Sequence, residues 1–270
     1  MTASDKIFSG SIAEIYDTCL VPLLFEVYAS DLARRAAEGA PARILETAAG
    51  TGVVARALAP LLAEQARYVV TDLNPPMLER ASQRQGADGR IRWQQANALE
   101  LPFESGSFDT ALCQFGAMFF PDRIAGYREA LRVLKPGGRF LFNVWDGIEH
   151  NDFARLVTEA AGAVFPSDPP LFLARTPHGY HDVAQIDMEL RKAGFSDVEI
   201  ETLAKRSVAS TARDAAVAYV QGTPLRNEIE ARDPGALEAV TERAAETIAA
   251  AYGEGAVDGK IQAHVVAARV

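Results

Sequence analysis

Residues 46–52 read ETAAGTG: a carboxylate, Glu46, followed by a turn that carries Gly50 and Gly52. Glycine allows a tight turn and lets bare backbone approach a ligand. The residues that follow, VVARALA, suit a helix. A helix start presents unpaired N–H groups and the positive end of its dipole. A second acid, Asp72, stands twenty residues after Gly52, in VVTDLNPPML. At the end of a second strand such a carboxylate can accept hydrogen bonds from both hydroxyls of a ribose. Together these residues specify an adenosine-type ligand. Gly50-Thr51-Gly52-Val53-Val54-Ala55 also satisfies the loose dinucleotide fingerprint, so a nicotinamide cofactor is the competing choice.

Three further features favour S-adenosylmethionine. Glu46 can orient the loop amides or reach, through water, the cationic methionine end, whereas it would repel a pyrophosphate. In QQANALELPF, Asn97 can bond the adenine amino group while Ala98 and Leu99 pack on the ring. In SFDTALCQFGAMFF, the carbonyl of Gln114 could accept from the methionine ammonium.

These residues need a frame. Residues 11–38 have helical apolar spacing through Ile12, Ile15, Leu20, Leu24 and Val27, broken by Pro22. Strands and helices then alternate: RILET, VVARALAPLLAEQA, RYVVTD, PPMLERASQRQ, IRWQQA, FDTALCQF, DRIAGYREALRVL and RFLFNVW. Pro136, Gly137 and Gly138 are the expected stop of the last of these helices. Alternation of this kind means a parallel sheet covered on both faces. Beyond Trp145 a helix over 151–165 and a Pro-rich loop are expected. Next comes a helix over 182–193, with Asp182 as N-cap and Gly194 as stop. A sixth strand, two or three helices over 212–252 and a final strand complete the chain. Leu237, Val240, Ala244 and Ile248 share one helical stripe.

The chain has 270 residues and a formal net charge of −9, with no run of Lys and Arg. Such a surface repels phosphate backbones, so nucleic acid is not an expected partner. The first ten residues lack a signal-peptide core, and no apolar run has membrane-spanning length, so the expectation is a cytoplasmic protein without membrane contact. Cys19 and Cys113 have no metal-binding spacing and are expected as reduced thiols.

The series ETAAGTG, VVTDLNPPML, ANALELPFESGSFD and ALRVLKPGGRFLFNVW resembles the class I S-adenosylmethionine-dependent methyltransferases. The subgroup it is most similar to contains ubiquinone and menaquinone biosynthesis enzymes (the methyltransferase type 11 domain). The resemblance covers residues 42–146 in detail. It implies an α/β, Rossmann-like, doubly wound seven-stranded sheet, mostly parallel with the last strand antiparallel. It also implies a single domain: a helical lid over 1–40, a cofactor core over 42–146 and cap segments over 147–190 and 205–256. Carried over residue by residue, it places Glu46, Ala48, Gly50 and Gly52 in the methionine-binding loop. Asp72 holds the ribose, with Leu73 and Met77 beside the adenine. Asn97, Ala98 and Leu99 form the other adenine wall, and Gln114 and Phe115 line the methionine end.

The chain departs from the family pattern twice. Ala48 stands where the first glycine of the loop is usual, which is tolerable if its φ is negative. Asn97 replaces an aspartate, keeping an acceptor but losing its charge, so weaker cofactor affinity is expected.

Methyl transfer from a sulfonium is an in-line displacement, in which the protein supplies binding, alignment and exclusion of water. A general base is needed only where the acceptor arrives protonated. The candidates are His178 and His181, flanking Tyr180 in the Pro-rich loop, and Tyr16 on the N-terminal helix. The competing reading leaves both histidines as solvated loop residues. No third ligand is spaced for a metal. Tyr16-Asp17 resembles the family's lid element, with Tyr28 further along it; packing is the alternative. Trp145 can wall the acceptor pocket or fill the sheet. Met118, Phe119 and Phe120 read as core. DPPLFL, 168–173, would form an apolar rim for an acceptor or a homodimer contact. The leading function is methyl transfer to a small molecule. The alternatives are an NAD(P)-dependent oxidoreductase and a non-catalytic cofactor-binding module.

Overall fold

A computed structural model describes residues 14–270. Ile12 and the first thirteen residues of the expected lid therefore lie outside the described residues. Helix α1, Tyr16–Phe25, is wound more widely than an α-helix and is followed directly by α2, Glu26–Ala37. Pro22 lies inside α1 and has no N–H for the carbonyl one turn back. The Thr18 hydroxyl also donates to the Glu14 carbonyl, at 2.8 Å. Both features loosen the ordinary helical ladder.

Strand β1, Arg43–Glu46, leads through the glycine turn into α3, Val53–Leu58. The predicted helix over 53–66 is thus cut short. Pro60 cannot donate to the helix ladder, and the chain leaves through a single tight turn, Ala59–Leu61. Strand β2, Arg67–Asp72, and helix α4, Pro75–Gln85, match their sequence limits, with Pro75 fixing the first helical turn. Then come β3, Ile91–Gln95, β4, Phe108–Gln114, and α5, Arg123–Val133, capped by the Asp122 side chain on Ala125 N.

Strand β5, Leu134–Trp145, starts before the expected stop signal. The register on β4 steps from Phe108↔Leu134 to Thr110↔Arg139, so Pro136, Gly137 and Gly138 form an excursion inside a strand instead of a helix terminus. Pro136 removes a donor that strand pairing would need there.

The remaining elements are α6, Asp152–Val164, α7, Phe172–Arg175, α8, Val183–Ala193, and β6, Asp197–Ala209. After them come α9, Ala212–Gln221, α10, Leu225–Arg232, α11, Leu237–Tyr252, and β7, Val257–Arg269. The α8 limits follow from its caps: Asp182 accepts from the amides of Ala184 and Gln185, and Gly194 takes φ 117° at the other end. Within the loop expected to be unstructured, α7 buries Phe172 and Leu173, leaving Leu171 exposed. The apolar rim read from DPPLFL therefore shrinks to one side chain, because two of its large residues serve the interior.

The sheet order is β3-β2-β1-β4-β5-β7-β6. Strands β1 to β5 pair in parallel. Asp146 N bonds Gln262 O and Val270 N bonds Gly138 O, so β7 runs antiparallel to β5, as the resemblance implied. The seven-stranded Rossmann-like sheet is thus the one expected. Its order reverses between β1 and β4, and in open α/β sheets ligands bind at the strand ends beside such a reversal.

Two compact units make up the chain. One comprises Glu26–Val144, His181–Thr202 and His264–Val270. Its core packs Ile44, Tyr68, Val70 and Leu112 with Leu32, Val54 and Leu58. Across its α5 and α8, the Arg123 guanidinium grips both oxygens of Glu189, at 2.8 and 3.1 Å. The other unit comprises the described residues up to Phe25, Trp145–Tyr180 and Leu203–Ala263. In it α11 packs on α9 and α6, with Val240, Ala244 and Ile248 buried. No helix of the described residues is long and apolar enough to cross a membrane.

Candidate functional site

The carboxyl ends of four adjacent parallel strands, β3-β2-β1-β4, bring together most of the residues singled out in the sequence. Glu46 ends β1, Asp72 ends β2, Gln95 ends β3 two residues before Asn97, and Gln114 ends β4. Asp72 pairs with Gln95 in register, and Glu46 with Val70 and Leu112.

Asp72 is buried, and its two carboxylate oxygens are already oriented. Oδ2 accepts from Gly50 N and Oδ1 from Asn74 N, both at 2.8 Å. Burial pushes its carboxyl above the usual range, while these amide bonds pull the other way. The Asn74 side chain and the Leu73 amide also bear on this carboxylate, so the acid sits in a cradle of donors at the end of β2. Met77 is buried beside the start of α4, and Leu73 is exposed next to Asp72. Asn97 Oδ1 accepts from Leu99 N at 3.1 Å, which fixes the amide and leaves an acceptor site on the same oxygen. Ala98 lies between them, half-buried.

Gly50 and Gly52 take φ of 56° and 77°, which L side chains rarely adopt. At Gly52 a Cβ would also meet Ala81 Cβ at 2.9 Å, so the turn lies tight against α4. The condition set for Ala48 is not met: its φ is +53°. An alanine in the left-handed region carries strain of roughly 1–2 kcal/mol. Its methyl is accommodated by a residue that sequence reasoning passed over. A Cβ on Gly116 would lie 2.5 Å from Ala48 Cβ and 2.8 Å from Cys113 Sγ. Gly116 is therefore bare because the loop after β1 packs on the loop after β4.

Phe115, next to it, also holds a positive φ, 50°. Its amide bonds both the main-chain oxygen and Oδ1 of fully buried Asn143, at 3.0 and 3.1 Å. The Phe115 ring meets Tyr28 edge-on at 5.4 Å. Gln114 is buried beside it. Strained non-glycine backbone on both sides of the strand crossover marks a site held in a set shape.

Glu46 is 1 % exposed and accepts a hydrogen bond from the fully buried Tyr68 hydroxyl through Oε2. Its main-chain oxygen accepts from Thr71 Oγ1 at 2.8 Å. Burial raises its carboxyl to about 8, opposed by the Tyr68 bond, raised further by the charge of Asp72 and opposed by Arg56. Tyr68 also escaped the sequence reading, although its place in RYVVTD alternates with buried positions. The Thr51 hydroxyl is buried inside the turn with no hydrogen-bond partner among the described residues. Two acids, an unpaired hydroxyl and a turn of side-chain-free glycine backbone fit a nucleoside with a cationic tail. They do not fit a pyrophosphate.

The catalytic candidates separate. His181 is exposed. His178 is buried, against the competing reading of a solvated loop histidine, and its ring packs 5.9 Å from Trp145. His178 Nδ1 lies 2.8 Å from Asp146 O, and since a carbonyl can only accept, Nδ1 carries the proton. Asp146 is held in turn: Oδ1 accepts from Gly147 N and Oδ2 from Gln262 Nε2, at 2.7 and 2.6 Å. Tyr16 is half-buried, its ring tilted against that of Phe25 at 5.3 Å. Met118 and Phe120 are buried. Burial pushes the Cys113 thiol up to about 12. Among the described residues no cluster of His, Cys, Asp and Glu could hold a metal.

The family profile described as a methyltransferase domain matches residues 45–142. A demethylmenaquinone methyltransferase of Clavibacter sepedonicus is 32% identical over 191 residues, covering 65% of this chain and 74% of that protein. A ubiquinone/menaquinone biosynthesis C-methyltransferase of Rhizobium johnstonii is 31% identical over 175 residues, covering 58% and 65%. The fold of Haemonchus contortus phosphoethanolamine N-methyltransferase 2, solved with S-adenosyl-L-methionine, covers 99% of this chain and 60% of that one, with a TM-score of 0.62 at 18% identity. Nothing in these likenesses supports the oxidoreductase alternative. The chain belongs to the class I S-adenosylmethionine-dependent methyltransferases, enzymes whose cofactor is S-adenosylmethionine.

Proposed function

We propose that this chain methylates a small organic acceptor, and that Asp72 is the anchor of its cofactor. The observation that carries this is the buried Asp72 carboxylate at the end of β2, its two oxygens oriented by the amides of Gly50 and Asn74. In this reading Asp72 holds both ribose hydroxyls. Asn97 meets the adenine amino group between Leu99 and Met77. The turn from Glu46 to Gly52, with Gln114 and Phe115, receives the amino-acid tail. The cofactor supplies an activated methyl when bound; the residues align it and keep water out, which lowers a barrier by about 7–11 kcal/mol in well-oriented systems.

The two relatives whose names carry menaquinone and ubiquinone support a quinone-type acceptor. A reduced quinone ring, small and largely apolar, fits an acidic enzyme better than a polyanion does. Such an acceptor must lose a proton. Of the three candidates, His178 is the one that is buried with a ring nitrogen held, its Nδ1–H donating to Asp146 O. Replacing His178 by alanine is expected to lower kcat about 10²–10⁴-fold, the usual contribution of a general base, with cofactor affinity unchanged. A wild-type rate would return His178 to packing.

Calorimetry tests the cofactor half directly. S-adenosylhomocysteine should bind at one site per chain and NADH should give no heat. The acceptor half is tested by transfer of a labelled methyl to a reduced naphthoquinone. Saturable NADH binding without S-adenosylhomocysteine binding would overturn the reading.

A further inference from the structure

The Glu46–Tyr68 contact joins two groups that the frame keeps from water: Glu46 at the end of β1, 1 % exposed, and Tyr68 on β2 with no exposed surface. Parallel pairing explains how they meet. Ile44 is opposite Tyr68 and Glu46 opposite Val70, so the long phenol reaches along β1 to the carboxylate two residues on. We propose that Tyr68 is a positioning residue for Glu46, and that Glu46 releases its proton to the buffer when the cationic amino-acid end of the cofactor is captured. The inference rests on the cofactor site proposed above.

The charge balance supports it. A buried carboxyl without a cation in place is best kept neutral. An ammonium or sulfonium arriving at the loop supplies the missing positive charge, and the O–H bond of Glu46 then breaks. Tyr68 stays a donor throughout, because burial and the neighbouring Glu46 push its hydroxyl well above its ordinary range. Its O–H therefore favours the ionised carboxylate without surrendering its own proton. The other groups around Glu46 are Asp72 on β2, whose charge opposes ionisation, and Arg56 on α3, which assists it. Cys113 on β4 remains a thiol, pushed up to about 12. Arg56 stays charged at every accessible pH. Glu46 is thus the group here raised to about 8, with Asp72 beside it raised above its ordinary range.

The sign follows. The ionised form captures the cation, so affinity should rise with pH up to a midpoint near 8 and then level off. Below the midpoint the rise is roughly tenfold per pH unit. The test is calorimetric titration of the full chain with S-adenosylhomocysteine, which keeps the ammonium, across that range in two buffers of different ionisation enthalpy. The wild type should show buffer-dependent heat corresponding to release of about one proton well below the midpoint. Glu46→Gln should remove that proton and flatten the profile; whatever slope remains belongs to Asp72. Tyr68→Phe should move the midpoint upward, weakening binding at neutral pH and recovering it at higher pH.

A purely structural role for Tyr68 predicts weaker binding at every pH with an unmoved midpoint, and that result would overturn the assignment. Heat independent of the buffer in the wild type would also overturn it, with no variant needed. Absence of S-adenosylhomocysteine binding by the wild type would instead remove the cofactor site itself.

Discussion

Asp72→Ala should abolish measurable S-adenosylhomocysteine binding while the protein stays folded. A hydrogen bond to a charged acceptor contributes about 1.5–3 kcal/mol, and a ribose diol would make two with Asp72. Losing both amounts to roughly 3–6 kcal/mol, a hundredfold to ten-thousandfold fall in affinity. A second loss adds to it, because Asp72 also holds Gly50 N and Asn74 N, so the turn itself is released. The fold should tolerate the change. Burial pushes this carboxyl above its usual range, and removing it relieves that desolvation cost while two amides lose a partner. The check is calorimetry beside thermal unfolding. Asp72→Asn sharpens it: its amide keeps one accepting oxygen and turns an NH2 toward a position that needs an acceptor. It should fall between wild type and alanine in affinity. Full affinity in Asp72→Ala, with the protein folded, would move the ribose elsewhere.

The pH behaviour of this site has a fixed sign as well. Asp72 titrates above an ordinary aspartate, so falling pH protonates it earlier and removes acceptor capacity. Binding should weaken on acidification through Asp72 and Glu46 together. Glu46 also makes the folded chain without cofactor lose stability as pH rises from its ordinary range toward 8, because the folded state holds a proton that the unfolded chain has released.

How far the residues alone reveal this site depends on the range of the interactions. Strand β2 and helix α4 were legible to the residue, since Pro75 and Pro76 set a helix start and Asp72 closes an apolar run. The α8 caps, Asp182 and Gly194, were equally local. Asp72 was legible because its role follows from position on the strand. Glu46 was legible as an acid at a strand end, but its partner was not. Tyr68 lies 22 residues away, and the pair depends on which residues of β1 and β2 stand opposite. The lengths of α3 and β5 were misjudged for related reasons. At Pro60 a helical apolar pattern outran the backbone donors available, and at Pro136 a turn signal proved to be a bulge against β4. The sequence leaves His178 open between catalysis and solvent, because loop composition says nothing about Trp145 and the Asp146 carbonyl that pack against it.

Gly116 is the position no local pattern could assign, and it carries the second large expected effect. A methyl there meets Ala48 Cβ at 2.5 Å and Cys113 Sγ at 2.8 Å, closer than side chains normally approach. Neither neighbour is the free end of a flexible side chain, so backbone must shift, and overpacking of this kind costs about 1–3 kcal/mol. The shift falls on the loops after β1 and β4, which carry Ala48, Phe115 and Gln114. Gly116→Ala should therefore lower the urea midpoint and weaken S-adenosylhomocysteine binding together. Ala48→Gly removes one of the colliding methyls and relieves a positive φ on alanine, though it gives up a buried contact. In that background Gly116→Ala should cost less, with a coupling of at least about 0.5–1 kcal/mol, because the clash with Cys113 alone remains. Strictly additive midpoints for the double variant would mean that the two loops do not press on each other, and that the strain at Ala48 has some other counterweight.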